Sequence, residues 1–416
     1  MLPEVHVLST AGKPIFSSSS DDNSHITKAG LIQGISSFSK DTLRVIRTKS
    51  IILHFLPCPP LLFFCAIPTS HQGLNVARLM YLIKNCFLFF LTQKGLKLVE
   101  SNPNYDLRNL LHGTEGLLAS LTKEWISTLW AQIDGIGVRH WPMTELARNH
   151  LNQSLDCPGL LYGLILRDDH IMAYRQGHKH HPLPIDDIHV LSHVVRHMPS
   201  FRSSESWTPI CLPSFNSTGF LYAYIVYTAL DICTILVSTA ESQQQFHTFQ
   251  HYHHEIISRA LIQVLSQNPP AVLSAPPSLS NFLLEKHSPF VLYCLYQNAK
   301  THQTIYPSFT ESMAFQDKSH IFQLLKHFGS LHSQLHGPKP RLEMKKLAVP
   351  SVKDAHQQAT NYFFRTDTML FMGRVLERQS GFIYICCESL VTAEDADQIL
   401  DYILARIYQF WLTPLV

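Results

Sequence analysis

The sequence has few charged residues for its length. Asp, Glu, Lys and Arg make up 15% of the 416 residues, and the formal net charge is only +2. No run of Lys or Arg is longer than two residues, so the chain lacks the basic patch that collects nucleic acid. Apolar residues make up 45%, so much of the surface must carry uncharged polar side chains or be covered by a partner protein. No nucleic-acid ligand is predicted.

The common motifs of nucleotide and hydrolase chemistry are also missing. The sequence contains neither a phosphate-binding loop that ends in Gly-Lys-Ser/Thr nor a Gly-x-Ser-x-Gly turn. Gly135-Ile136-Gly137 lacks the third glycine and a preceding strand, so a dinucleotide-binding loop is not predicted. These absences argue against hydrolase and GTPase chemistry, and we predict no catalytic residue and no cofactor.

No stretch of the sequence has the composition of a transmembrane helix. Residues 51–67 are apolar but contain three prolines, which favours a pair of strands. Residues 74–91 carry Arg78, Lys84 and Asn85, which favours a buried helix. The nine cysteines are an odd number and mostly lie in apolar runs, as free thiols do in a reducing compartment. We therefore predict a cytosolic protein.

The hydrophobic periodicity at the start of the chain predicts an α+β module. Two strand-like runs meet at the Gly12-Lys13 turn, and an amphipathic helix, three more strands and two helices follow. The last helix is predicted from leucine spacing, with Asn104 as its cap. This order is that of the longin fold, a five-stranded antiparallel sheet with helices on both faces. The predicted runs are 6–11, 14–18, 26–38, 42–47, 50–56, 61–67, 73–91 and 104–125.

The same order of strands and helices occurs three times. We predict three longin domains, at residues 1–130, 155–267 and 280–416. The second opens with a hairpin around Asp168-Asp169, and a proline-rich segment at 268–277 is the predicted linker to the third. The strands predicted in the second domain are 160–167, 170–175, 207–212, 219–227 and 231–238, and those in the third are 290–296, 303–307, 360–366, 369–376 and 381–387. The fold class is therefore α+β, with mostly antiparallel sheets flanked by helices.

Histidine is frequent, and one group has a regular spacing. His189, His193 and His197 lie four residues apart on a predicted helix, the spacing at which two histidines can share a metal ion. The apolar residues of that helix lie on the opposite face, so the histidines are predicted to face outward. Because no carboxylate or thiol nearby completes a ligand set, no metal site is predicted. A metal-dependent enzyme built on this cluster remains an alternative.

Four segments closely resemble the Mon subunits of the Mon/Ccz complexes, the vacuolar fusion protein Mon family. They follow the family order over nearly the whole chain. The segments are 7–16 (VLSTAGKPIF), 104–108 (NYDLR), 206–220 (beginning SWTPICLP) and 410–415 (FWLTPL).

The resemblance implies a partner and an activity. It implies a subunit that pairs with a Ccz-type longin subunit and acts as a guanine-nucleotide exchange factor for the late-endosomal Rab GTPase. It also implies a peripheral location on late endosome, lysosome or vacuole membranes. Relatives begin with a long acidic extension, whereas the first strand is predicted here within about five residues of Met1, so we expect regulation to differ. A longin adaptor that holds tethering proteins without exchange is the alternative.

Two groups of residues are predicted to carry the contacts. Lys13, Pro14, Ile15 and Phe16 at the first hairpin, together with Trp207, are predicted to bind a partner. The simpler readings are a hairpin turn for Lys13-Pro14 and a core position for Trp207. Lys339, Arg341, Lys345 and Lys346 form a scattered basic stretch that is predicted to contact phosphoinositide membranes, with a solvated loop as the alternative.

Overall fold

The computed structural model divides the chain into two compact units, Met1–Ser274 and Ala275–Pro414. The boundary falls in the predicted linker, which lies outside the described residues. The division into three longin domains at 1–130, 155–267 and 280–416 stays a prediction. The described residues are 3–10, 12–18, 28, 30–35, 43–101, 107–111, 113–141, 143–177, 181–228, 230–267, 290–309, 315, 317–336, 361–376 and 380–410.

The first unit opens with an antiparallel five-stranded sheet in the order β2-β1-β5-β4-β3. Alternate residues of β5 face opposite sides, as the two-residue period of a strand requires. Phe64 packs with Ile32 of a short helix on one side, whereas Phe63 packs edge-on against Phe87 on the other. The strands are β1 (Glu4–Ser9), β2 (Pro14–Ser17), β3 (Val45–Arg47), β4 (Ile51–Cys58) and β5 (Leu61–Pro68), and residues 30–35 form helix α1. All five predicted strands are confirmed.

Helix α2 (Val76–Ser101) lies between this sheet and a second one, since it contacts β4 and β5 as well as two strands of the second sheet. Its side chains are buried almost all round, including Leu79, Leu82 and Phe87. A helix that is apolar on every side is stable only when it is covered on every side. The predicted buried helix at 74–91 is confirmed, and a non-helical residue, Thr92, kinks it before it continues to Ser101.

The second sheet contains six strands in the order β6-β8-β7-β11-β10-β9. Five were predicted, and the turn at Asp168 has a left-handed backbone with φ 52°, as the tight hairpin requires. The strands are β6 (Val138–His140), β7 (Tyr162–Arg167), β8 (His170–Gln176), β9 (Ser206–Leu212), β10 (Ser217–Tyr227) and β11 (Ile232–Ser238).

Helices cover this sheet. One face carries α5, α9 and α10, whose Leu151, Phe249 and Leu261 share a core with Ile165 and Leu236 of the strands. A π-helical turn, His253–Ile257, joins α9 to α10. The helices of the unit after α2 are α3 (Leu107–Leu110), α4 (Glu115–Glu124), α5 (Glu145–Ser154), α6 (Ile185–His197), α7 (Pro199–Ser203), α8 (Pro213–Asn216), α9 (Gln243–Tyr252) and α10 (Ser258–Gln267), with a 3-10 turn at Trp125–Ser127.

Two sequence predictions need correction here. The single helix expected at 104–125 is divided into α3 and α4, because Gly113 adopts φ 87° and Thr114 donates its hydroxyl to the Leu111 carbonyl. Asn104, its predicted cap, lies outside the described residues. The sequence reading also missed β6, which pairs in parallel with β8, and α5, whose N-cap Thr144 accepts from the Ala147 amide. A three-residue strand and a mostly polar helix give little periodic signal.

The second unit contains an antiparallel sheet in the order β14-β15-β16-β12-β13, which matches the predicted strands. Leu370, Ile385 and Ile403 are buried in one core on the α12 side. On the other side Phe328 of α11 packs on Phe371. The elements are β12 (Val291–Asn298), β13 (Gln303–Ile305), α11 (Lys318–His336), β14 (Asn361–Arg365), β15 (Met369–Val375), β16 (Gly381–Glu388) and α12 (Ala393–Phe410).

Candidate functional site

The predicted partner-binding hairpin is a tight turn at one end of the first sheet. The Ser9 amide donates to the Lys13 carbonyl at 2.9 Å, and the Ser9 hydroxyl oxygen accepts from the Lys13 amide at 3.0 Å. Gly12 has φ 81°, a left-handed backbone conformation that favours glycine, and the side chain of Gln33 on α1 lies beside it. The backbone of the turn therefore accounts for the glycine at this position.

The four predicted hairpin residues differ in exposure. Lys13, Pro14 and Ile15 are half-buried, whereas Phe16 is buried in the sheet. A cavity of about 250 Å³ lies beside the turn, and its walls include Thr10, Gln33 and Pro59. Lys13, Pro14 and Ile15 are therefore accessible enough to contact a partner, whereas the buried Phe16 can only stabilise the sheet.

Trp207 lies on β9, the edge strand of the second sheet, and not beside the first hairpin. Its ring is half-buried and lies 5.9 Å from that of Tyr222 and 6.1 Å from that of Phe249. This placement corresponds to the simpler reading of Trp207 as a core position. The structure thus places the predicted partner-binding residues on two different sheets.

The segment after Trp207 has a buried anchor. Both carboxylate oxygens of Asp187, at the start of α6, accept backbone amides of α8, Ser214 at 3.0 Å and Phe215 at 2.7 Å. Burial raises the pKa of Asp187 to about 6, against the effect of these hydrogen bonds. This contact holds the short helix α8 against the start of α6 through backbone amides.

The predicted lipid-binding residues Lys339, Arg341, Lys345 and Lys346 lie outside the described residues. Their role stays a prediction.

The prediction that His189, His193 and His197 face outward is wrong. His189 is 5% exposed and His193 is 1% exposed, and only His197 is partly open. His189 stacks on Trp130 at 4.5 Å, and its Nε2 lies 2.9 Å from the Ile136 carbonyl oxygen. Burial lowers the pKa of His189 to about 4. The histidine stripe is covered because residues 115–141 fold over it.

The carboxylate that appeared to be missing from this cluster is Glu124, at the end of α4. Its Oε1 lies 2.8 Å from Nε2 of His197, and its Oε2 lies 2.7 Å from Nη2 of Arg196 and 3.5 Å from Nδ1 of His193. Burial works to raise the pKa of Glu124, but the hydrogen bond with His197, the nearby His193 and the charge of Arg196 lower it well below its usual range. The carboxylate is thus held ionised against α6.

A second buried carboxylate extends this polar cluster. Asp169 pairs with Arg139 through Oδ2, which also lies 4.0 Å from the Arg196 guanidinium, and its Oδ1 lies 3.0 Å from Nδ1 of His170. Burial works to raise the pKa of Asp169, but the charge of Arg139, with His170 and Arg196, lowers it well below its usual range. The hairpin that begins the second sheet is thereby joined electrostatically to β6 and α6.

Sequence reasoning missed Glu124 because it lies 73 residues before its partner His197. The histidine spacing was the one signal in the sequence that could have predicted such a partner. Histidines on a helix rich in apolar residues need polar partners when another segment buries them.

Two family models match the chain within the first unit. The model described as the first Longin domain of FUZ, MON1 and HPS1 matches residues 4–121, and the model of their second Longin domain matches residues 158–258. Curated relatives carry the names Protein SAND and Vacuolar fusion protein MON1. The chain belongs to the MON1/SAND family.

The MON1/SAND relatives match at moderate identity. Protein SAND of Takifugu rubripes is 28% identical over 346 residues, covering 80% of this chain and 64% of its own length. Vacuolar fusion protein MON1 homolog A of Gallus gallus is 31% identical over 247 residues, with 56% and 44% covered. Vacuolar fusion protein MON1 of Yarrowia lipolytica is 27% identical over 355 residues, with 80% and 62% covered. The chain spans less than two thirds of the length of each of these relatives.

The family assignment confirms the predicted longin modules of the first unit and the α+β fold class. The names of the two MON1 relatives place those proteins in vacuole fusion, and the matched family models describe longin domains. Among the described residues of this MON1/SAND member, every helix is too short or too polar to cross a lipid bilayer.

Proposed function

We propose that this chain acts with a Ccz-type longin subunit as a guanine-nucleotide exchange factor for a late-endosomal Rab GTPase, and so promotes vesicle transport and vacuole or lysosome fusion. The single observation that supports this most strongly is the match of residues 4–121 and 158–258 to the first and second Longin domains of FUZ, MON1 and HPS1. The proposed site of action is the surface of the late endosome, lysosome or vacuole.

The proposed mechanism needs no reactive side chain. A surface that binds the nucleotide-free GTPase more tightly than the loaded form lowers nucleotide affinity by that difference. A preference of roughly 5.5 kcal/mol moves a 1:99 balance to 99:1. This role agrees with the absence from the sequence of the hydrolase and phosphate-loop motifs.

The first sheet offers surfaces for such a partner. Its edge strand β3 is short and exposes Val45 at 42%, and the neighbouring Ile51 is 40% exposed. At the other end of the sheet the first hairpin presents Lys13 and Pro14. An edge strand with open backbone groups is a ready template for another chain. We therefore assign subunit or GTPase contact to the first sheet, and membrane contact to the basic stretch around Lys345.

Nucleotide release tests the proposal. The Rab is loaded with a fluorescent guanine nucleotide, and its release is followed with the chain alone, with the Ccz-type subunit alone and with both. We expect rapid release only with both subunits. A stable complex of both subunits that leaves the release rate unchanged would instead support the adaptor function, and rapid release by the chain alone would contradict the need for a partner.

Charge reversal tests the hairpin assignment. Lys13→Glu should weaken the contact by about 1 kcal/mol, or roughly fivefold in release rate at limiting complex. Lys300→Glu is the matched control, because Lys300 is an exposed lysine at the β12–β13 hairpin turn of the second unit, outside the first sheet. Equal rates for both variants would remove Lys13 from the contact surface.

A further inference from the structure

The cluster of Glu124, His193 and His197 has the composition of a metal site. Their ligand atoms all lie within 4.8 Å of one another, and the two imidazole rings are 4.4 Å apart. The histidines come from one face of α6, one turn apart, and the carboxylate comes from the end of α4. Two histidines at this spacing with a carboxylate from another element form a familiar zinc-binding set.

The hydrogen bonds of His193 determine which of its nitrogens is available. Its Nε2 lies 3.2 Å from the Leu117 carbonyl oxygen and 3.2 Å from the Ser120 hydroxyl. The Ser120 hydroxyl already donates to the Leu117 carbonyl at 2.7 Å, so both neighbours can only accept. Nε2 of His193 must therefore carry the proton, and in the neutral ring Nδ1 carries a lone pair.

That lone pair faces the carboxylate. Nδ1 of His193 makes no hydrogen bond, and it lies 3.5 Å from Oε2 of Glu124 in a side chain that is 1% exposed. Two acceptors that face each other repel unless a proton or a metal cation lies between them. We propose that Glu124, His193 and His197 bind a zinc ion, with Nδ1 of His193, Nε2 of His197 and an oxygen of Glu124 as ligands.

The distances between the three candidate ligand groups fit a zinc ion if the side chains move slightly. Tetrahedral zinc with bonds of about 2.0–2.1 Å places its ligand atoms about 3.4 Å apart. The distances of 2.8 Å from Glu124 to Nε2 of His197 and 3.5 Å from Glu124 to Nδ1 of His193 bracket that value. His197 and Glu124 are 26% and 27% exposed, so a water molecule can take the fourth position.

The outer contacts also match those of a zinc site. Ligating histidines usually donate their second nitrogen to a carbonyl oxygen, and ligating carboxylates are themselves hydrogen-bonded. Here the Leu117 carbonyl accepts a hydrogen bond from Nε2 of His193, and the Arg196 guanidinium donates one to Oε2 of Glu124. The ion would join α4 to α6, and so link the segment after the first sheet to the second sheet. This role is independent of nucleotide exchange.

Metal content and affinity test the proposal on the full chain. The protein is purified without chelators, zinc is measured by mass spectrometry, and affinity is measured by competition with a chelating dye. We expect about one zinc ion per chain, and a tetrahedral absorption spectrum when Co²⁺ replaces it. Zinc should also raise the unfolding temperature of the apoprotein.

Two ligand variants and one control complete the test. Glu124→Gln and His197→Gln should each weaken zinc binding by more than about tenfold, since even outer-shell losses cost that much. His254→Gln should leave it unchanged, although Nε2 of His254 also lies 2.7 Å from a carboxylate, that of Glu205. A wild-type chain that neither retains zinc nor binds Zn²⁺ or Co²⁺ at micromolar concentration overturns the proposal without reference to any variant. Wild-type affinity in both ligand variants overturns it equally.

Discussion

Helices α2 and α6 both lie in the interior of the first unit, but they are buried in opposite ways. α2 contacts both sheets, and its buried side chains are almost all apolar. α6 buries apolar side chains such as Leu191 together with a polar stripe, in which His189 and His193 reach backbone carbonyl oxygens of residues 117–136. α2 is therefore buried by apolar packing, whereas the polar stripe of α6 is buried by partners that form hydrogen bonds with it.

The difference follows from what each kind of burial requires. An apolar surface gains free energy when any apolar surface covers it, so α2 needs only two suitable sheet faces. A polar stripe gains nothing unless particular acceptors and donors are in place, because an unpaired buried polar group costs about 1–3 kcal/mol. Burial of the polar stripe of α6 therefore requires the particular hydrogen-bonding groups of residues 115–141, whereas α2 can be buried by any apolar surface of suitable shape.

The largest effect is expected from a cavity in α2. Leu82→Ala removes a fully buried side chain between the sheets and should lower the free energy of unfolding by about 3–5 kcal/mol. Urea unfolding followed by tryptophan fluorescence measures this, because Trp125, Trp130, Trp141 and Trp207 all lie in the first unit. Leu146→Ala on α5, which is 84% exposed, should cost less than about 0.5 kcal/mol. Similar losses for both would contradict the central position of α2.

The next effect concerns the charged residue of α2. Arg78 is 5% exposed and pairs with Asp186 of α6 at 2.6 Å, and its Nε donates to the Trp130 carbonyl. Arg78→Met leaves these groups unmatched and should cost about 3 kcal/mol in the same unfolding measurement. Arg259→Met is the control, since the Arg259–Glu255 pair is exposed and should contribute less than about 0.5 kcal/mol.

A smaller effect is expected at the polar stripe itself. His189→Phe keeps the stacking on Trp130 but leaves the Ile136 carbonyl without its donor. The free energy of unfolding should fall by about 1–2 kcal/mol. The same change at His251, which is exposed on α9, should have little effect. If His189→Phe did not change the free energy of unfolding, burial of α6 would not depend on matched hydrogen bonds and would resemble that of α2.

The smallest expected effect is a pH dependence at Asp169. Because its pKa is lowered in the folded protein, the ionised carboxylate contributes stability that is fully present above its unfolded pKa of about 3.9 and is lost as the pH falls through the folded value. The difference in unfolding free energy between wild type and Asp169→Asn should therefore be constant above about pH 5 and shrink below about pH 4. Urea unfolding over this range measures it, and a constant difference throughout would show that Asp169 is not stabilised as an anion.

The sequence predicted the secondary structure of the sheets well because strand and turn signals are local. The Gly12-Lys13 turn, the Pro59-Pro60 turn and the Asp168 hairpin are each specified by residues within a few positions. It predicted one helix at 104–125 because leucine periodicity does not show that Gly113 interrupts it. The polar helix α5 was missed, since a short helix with few apolar residues has no clear period.

The features of the candidate site likewise fall into those set by local sequence and those set by tertiary packing. The sequence by itself determined the longin order of strands and helices, the buried α2 and the one-turn spacing of His193 and His197, because each of these depends on neighbours along the chain. Only the tertiary structure decided that the histidines point inward and that Glu124 completes their cluster. That carboxylate lies 73 residues from His197, and contacts over such distances in the chain are set by how α4 packs on α6, which no local pattern encodes.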